Sequence, residues 1–350
     1  MIFRKKKAAG LDQYLTDLEQ GVAARDPERT ERAFTAVLGG ALQGADEAEC
    51  RAAGPRLAGL LAGFPETGPR AVLATAAGFC VERGADPQAC AGPILTAVQE
   101  EVGAALGLAR RWRETAGADA ELPGTGEDAA EALVERLGGA EYETVRAALA
   151  WCGIEDWQAP ALAVLCRSTA VRQRYGAALL PAVDALAALG AHDLKCLRYA
   201  LAVLDEVPVT VLHRPSGTGY RIRIAGIGDN FQLHTLLAHL LIGGGHLPGE
   251  APSAEAVRLA TDPAPARGRS GVDTHGAFEL LAPDGERIWN EGLPADIPVV
   301  DGERVLVLDT PAYRRGWNAD RFFPLLPGRA ELLHVLPPAE AAARLARTTA

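Results

Sequence analysis

The 350-residue sequence contains no window of roughly 18 uninterrupted apolar residues, so it predicts no membrane-spanning helix. It also lacks a basic excess. Its 35 Lys and Arg stand against 45 Asp and Glu, a net charge of -10, which argues against nucleic acid because phosphate-backbone binding draws on a basic patch. No apolar stretch follows the basic start Arg4-Lys5-Lys6-Lys7, so the sequence predicts no secretory signal and a cytoplasmic protein. None of the six cysteines (Cys50, Cys80, Cys90, Cys152, Cys166, Cys196) forms a CxxC pair, which leaves free, buried thiols on helices as the expectation. Lysine is scarce, at four positions against thirty-one arginines, and we read this as coding bias that carries little functional weight.

Catalytic motifs are missing as well. Val305-Leu306-Val307-Leu308-Asp309 resembles a strand ending in a metal-binding carboxylate, but no GxxxxGK[ST] loop accompanies it to hold a phosphate. Gly226-Ile227-Gly228-Asp229-Asn230 lacks the third glycine of a dinucleotide fingerprint and sits in no βαβ unit. Gly268-Arg269-Ser270-Gly271 fails the GxSxG spacing of a nucleophile elbow, and Leu122-Pro123-Gly124-Thr125-Gly126 spells a sorting signal in the middle of the chain, where it reads as coincidence.

What is present is an ordinary globular composition, 48% hydrophobic and 23% charged, long enough for two domains. The average conceals a break near residue 205. Alanine fills 46 of the first 200 positions and 21 of the last 150, whereas all three asparagines and six of seven histidines follow the break. The sequence therefore predicts an all-helical domain over 1–205 and a smaller α+β domain over 206–350, with a mostly antiparallel or mixed sheet.

In the first part, Leu11, Leu15, Leu18 and Val22 make one apolar stripe at helical spacing. Asp26-Pro27 and Asp86-Pro87 each read as a helix start, and each precedes a Thr-Ala-Val about sixty residues from the other, too thin an echo to define a repeat. Helices are expected at 11–24, 28–42, 46–62, 69–84, 87–116, 128–138, 142–152, 157–166, 169–189 and 193–205, arranged as a bundle or a solenoid-like stack, with a flexible loop at 117–127. In the second part, strands are expected at 207–213, 220–226, 277–281, 286–289, 304–308 and 331–335. Helices are expected at 230–242, 253–260 and 338–347, with a mobile loop within 248–272.

Candidate functional residues fall in this second part. Asp229 or Asn230 reads as the N-cap of a tight strand-to-helix turn, where backbone N–H groups could also meet an anion. The 230–242 helix is apolar nearly all round and should be buried, so His234 and His239 need hydrogen-bond partners; in the sharper reading His234 faces a ligand. Asp273 and His275, with His239 or His246, could begin a metal site. The densest polar-aromatic stretch holds Tyr313, Arg314, Arg315, Trp317 and Asn318 after a strand, where binding groups concentrate. Paired arginines there suit a bidentate carboxylate or phosphate. Trp289-Asn290-Glu291-Gly292 ends another expected strand and would line the same cleft.

These residues favour a binding or accessory protein whose second part recognises a peptide, protein or anionic small molecule. An enzyme, metal-assisted through His234, His239, His246, Asp273 and His275, is the alternative, and a purely structural subunit is the third.

Overall fold

In the computed structural model the described residues are 10–64, 67–126, 129–139, 141–262 and 271–349. The chain divides into two compact units, Met1–Leu201 and Ala202–Ala350.

The first unit is helical throughout its described residues: α1 (Leu11–Ala24), α2 (Pro27–Ala36), α3 (Glu47–Gly59), α4 (Thr67–Glu82), α5 (Pro87–Ala116), α6 (Ala129–Arg136), α7 (Tyr142–Gly153), α8 (Gln158–Arg167), α9 (Thr169–Ala187) and α10 (Lys195–Leu201). Local chemistry sets where they start. Asp26, Asp86 and Ser168 each cap a helix by accepting a backbone N–H, proline follows the two aspartates, and Asp46 with Glu49 forms a reciprocal capping box. The thirty-residue α5 is the axis of this unit and packs on α3, α4, α7, α8 and α9. A solenoid stacks each repeat on its immediate neighbours only, so contacts of this range make the unit a bundle around a central helix.

Small side chains allow the close approach. At Gly54 an added Cβ would sit 3.1 Å from the Cys80 Cβ and 3.4 Å from the Cys90 Sγ, so α3, α4 and α5 meet through small side chains. All six cysteines are free thiols on helices, but the expectation of uniform burial fails at Cys152, half-buried, and Cys196, exposed. Burial pushes the Cys80, Cys90 and Cys166 thiols up to about 12, which keeps them protonated and inert at neutral pH. The expected flexible loop is tied down over 117–126, because the indole of Trp112 donates to the Glu121 carbonyl and that of Trp151 to the Pro123 carbonyl.

In the second unit, β1 (Val207–His213) and β2 (Thr218–Ala225) form a hairpin. Then come α11 (Asn230–Ala238), continued by a π-helical turn at His239–Gly243, α12 (Ala254–Thr261), β3 (Asp273–His275) and β4 (Glu279–Leu281). The chain closes with β5 (Val299–Val300), β6 (Glu303–Asp309), β7 (Gly316–Asn318), β8 (Arg329–Val335) and α13 (Pro338–Leu345). The main sheet runs β4-β6-β1-β2-β8, with β5 beside β4 on the same edge of β6. β1 and β6 are parallel and the other pairs antiparallel, so the sheet is mixed. β3 and β7 form a separate two-stranded ribbon.

The structure departs from the sequence expectations in three places. Residues 286–289 are no strand, being joined to β4 by a single bridge between Leu281 and Arg287. β3 and β7 are strands of three residues, too short to leave a periodic signal. Of the expected mobile loop, 263–270 lie outside the described residues.

Both faces of the main sheet are covered. Leu306 and Leu308 of β6 join α11 in one core, while Val305 and Val307 join Leu212, Leu336 and Ala341 of α13 in another. A strand buried on both sides reads as an unbroken apolar run, which explains Val305-Leu306-Val307-Leu308 without any nucleotide. Asp309 after it is engaged by Arg214 at 2.7 Å. On β2, Tyr220, Ile222 and Ile224 enter the α11 core, and the intervening Arg221 and Arg223 pair with Glu303 and Glu331.

The turn from β2 into α11 depends on Gly226, whose φ of +65° favours glycine and whose Cβ, if present, would run into the Pro327 carbonyl oxygen. Gly226→Ala should therefore lower stability by more than about 2 kcal/mol in urea unfolding followed by circular dichroism, against about 1 kcal/mol for Gly245→Ala. Gly245 has a similar φ, +75°, but open space around it, so equal losses would show that the carbonyl clash is unimportant.

Candidate functional site

The site is built from α11 outwards. Asp229 caps the helix by accepting from the Gln232 N–H at 2.8 Å. From Asn230 to Ala238 every residue of α11 except Phe231 is buried. Buried polar groups need partners, and these find them in four separate segments. Asn230 donates its backbone N–H to the Gly292 carbonyl (3.0 Å) and its side-chain amide to the Trp289 carbonyl (2.8 Å). Gln232 accepts from the Gly228 N–H and donates to the Ala260 carbonyl. His234 accepts from the Phe278 N–H through Nε2 at 2.9 Å. The segments that carry Trp289, Asn290 and Phe278 are thus positioned by one helix.

His234 is 1% exposed and lies in an aromatic setting: the Phe278 ring stacks on it at 5.8 Å, and the Trp317 ring is tilted against it at 5.4 Å. Trp317 also packs on Phe231 at 5.1 Å, and the Arg315 guanidinium lies over the Phe231 ring. Beside His234 is a cavity of about 80 Å³, lined by Gly276, Phe278, Asn290, Tyr313, Arg315 and Trp317 among others. Trp289 and Tyr313 line it too, although they are 64% and 63% exposed. Its two cations are each paired with a carboxylate, Arg315 with Glu291 at 2.6 Å and Arg287 with Glu279. His234 Nδ1 makes no hydrogen bond of regular geometry, and Asn290 is the polar side chain near the ring.

A second, broader and more open depression lies past Trp317 and contains Glu250, Asp273, His275, Arg314, Asn318 and Asp320. Here Asn318 donates to Asp273 across the β3–β7 ribbon at 2.8 Å, and Glu250 lies 3.3 Å from Arg314 and 3.7 Å from His275.

The sequence-derived candidates therefore separate. His234, Tyr313, Arg315 and Trp317 share the aromatic cavity, joined by Asn290. Arg314, Asn318, Asp273 and His275 share the polar depression, and Trp317 borders both. Asp229 and Asn230 are occupied in holding α11 and the 289–292 turn. His239 and His246 are exposed, so the expected burial of His239 does not hold; the helix has already passed into its π-helical turn there. His246 lies edge-on to Tyr220, 6.1 Å away. Among the described residues no three His, Cys, Asp or Glu side chains gather as a metal site would require, and His239, His246, Asp273 and His275 form no such cluster. Sequence reasoning missed Phe278 and Gly276. Neither belongs to a motif, and both enter the cavity because β4 passes beside α11.

No protein family, curated protein or solved structure matches the chain. Among the described residues no helix is long and apolar enough to cross a membrane.

Burial lowers the His234 pKa from 6.5 to about 4, and the Asn290 side chain partly opposes the shift. The folded state keeps the ring neutral where the unfolded chain takes up a proton, so its contribution is complete above pH 6.5 and is lost as pH falls toward 4. Between pH 7.5 and pH 5 the wild type should lose about 2 kcal/mol more stability than His234→Gln. Urea midpoints at the two pH values measure this, and parallel losses would mean that His234 is readily protonated in the fold.

Proposed function

We propose that the second unit is a binding module, and that the protein serves as a binding or accessory protein that recognises a peptide through the cavity beside His234. The observation that carries this reading is a small aromatic cavity whose wall includes a buried imidazole with one nitrogen lacking a partner. An unsatisfied buried donor costs about 1–3 kcal/mol, a cost that a bound ligand would remove.

The size of the cavity favours a peptide over a free small molecule. About 80 Å³ admits a side-chain-sized group and leaves the rest of the ligand outside. There the exposed rings of Trp289 and Tyr313 offer flat apolar surface with little rotamer entropy to lose. An anionic small ligand is less well served, because Arg287 and Arg315 are both already held by carboxylates. Arg314, also engaged, faces the other depression.

Selection of random peptides displayed on phage against the full chain tests the reading. The wild type should enrich a consensus. Tyr313→Ala, which removes an exposed ring, should bind that consensus about fivefold more weakly, and Trp317→Ala about thirtyfold. No consensus on the wild type, or undiminished binding by both variants, would end the proposal.

A further inference from the structure

The identity of the group seated in the cavity follows from the protonation state of His234. Its Nε2 accepts a hydrogen bond from the Phe278 backbone N–H, and a backbone N–H can only donate. Nε2 therefore carries the lone pair, and the single proton of the neutral ring is on Nδ1. This makes Nδ1–H a fixed donor without charge, and it has no partner. The ligand atom it meets has to be an acceptor.

Charge narrows the choice. The cationic residues lining the cavity are Arg287 and Arg315, each in an ion pair with a glutamate. A carboxylate or phosphate would have to displace Glu279 or Glu291, or else be desolvated beside a neutral imidazole and four aromatic rings, Phe278, Trp289, Tyr313 and Trp317. An uncharged acceptor avoids both costs. Asn290, on the same wall and close to the His234 ring, adds an amide NH2 donor group and a carbonyl acceptor of its own. A carbonyl flanked by its own N–H donors can satisfy His234 and Asn290 together, whereas a carboxylate offers Asn290 nothing to accept. The flanking rings suit a flat group of this size.

Resting on the peptide-binding reading of this same cavity, we propose that it is a carboxamide pocket, which takes the side chain of an asparagine or glutamine of the peptide. The amide oxygen accepts from His234 Nδ1–H, and the amide NH2 pairs with the Asn290 side-chain oxygen. Specificity against aspartate and glutamate would come from the absence of an unpaired cation in the lining.

The test uses the full chain labelled with ¹⁵N-histidine and two probes, propionamide and propionate, at equal concentrations. The long-range ¹⁵N–¹H spectrum should show one histidine as the Nδ1–H tautomer, with its signals absent from His234→Gln. Propionamide should shift that Nδ1 resonance in a saturable manner and propionate should not. Asn290→Ala should weaken the propionamide response about fivefold, the loss of roughly one neutral hydrogen bond. Equal or stronger response to propionate, an Nε2–H tautomer, or no response to either probe would overturn the carboxamide assignment. The phage selection reads binding whatever the charge of the seated group. A consensus rich in acidic residues that still depends on Tyr313 and Trp317 would thus defeat this assignment while leaving the binding module intact.

Discussion

A helix with almost no solvent face is the constraint on which the second unit depends. Residues 230–238 are buried except for Phe231, yet they include Asn230, Gln232, His234 and Thr235. Polar groups taken out of water must find partners or cost free energy. Three of these residues therefore dictate where something else runs: the 289–292 turn on Asn230, the 226–228 turn and the end of α12 on Gln232, and the approach to β4 on His234. Thr235 is satisfied within the helix by the Phe231 carbonyl. The sheet supplies the apolar floor through Val209, Val211, Ile222 and Leu306, but the loops above it are placed by hydrogen bonds from one helix.

That arrangement leaves one nitrogen of His234 unsatisfied at the wall of a cavity. His234 uses only one of its two nitrogens, and Trp317, carried in by the β3–β7 ribbon, closes one side of the space beside it. Gly276 allows the approach, since a Cβ there would sit 3.3 Å from both the His234 Cε1 and the Trp317 Cζ3. The same tryptophan separates two environments of different character, an aromatic cavity whose charges are paired and an open polar depression. Polar residues that are close in sequence, such as Arg314 and Arg315, consequently serve different surfaces, as alternate residues entering a strand do.

Much of the fold was legible from local signals. The proline-preceding aspartates, the leucine stripe of α1 and the period-two pattern of β2 each report an interaction within a few residues; the helices start at their signals, and β2 starts two residues ahead of the expected Tyr220. The strand read into 286–289 fails for the opposite reason. Ile288 is buried by returning across β4 and not by joining a ladder, while Trp289 stays exposed, a distinction that composition does not carry. His239 was likewise misplaced, because the π-helical turn that shifts it to the surface leaves no mark in the residue pattern.

The sequence by itself determined the two kinds of material, an all-helical part ahead of an α+β unit, and the stretches where polar and aromatic residues concentrate. These follow from periodicity, capping and composition, which act over a few residues. Only the tertiary structure decided which of those residues meet. His234, Phe278, Asn290 and Trp317 are spread over more than eighty residues of chain, and the hydrogen bond that sets the His234 tautomer comes from a backbone N–H forty-four residues away. A backbone group is the same in every residue, so its choice of partner can be seen only in the folded chain.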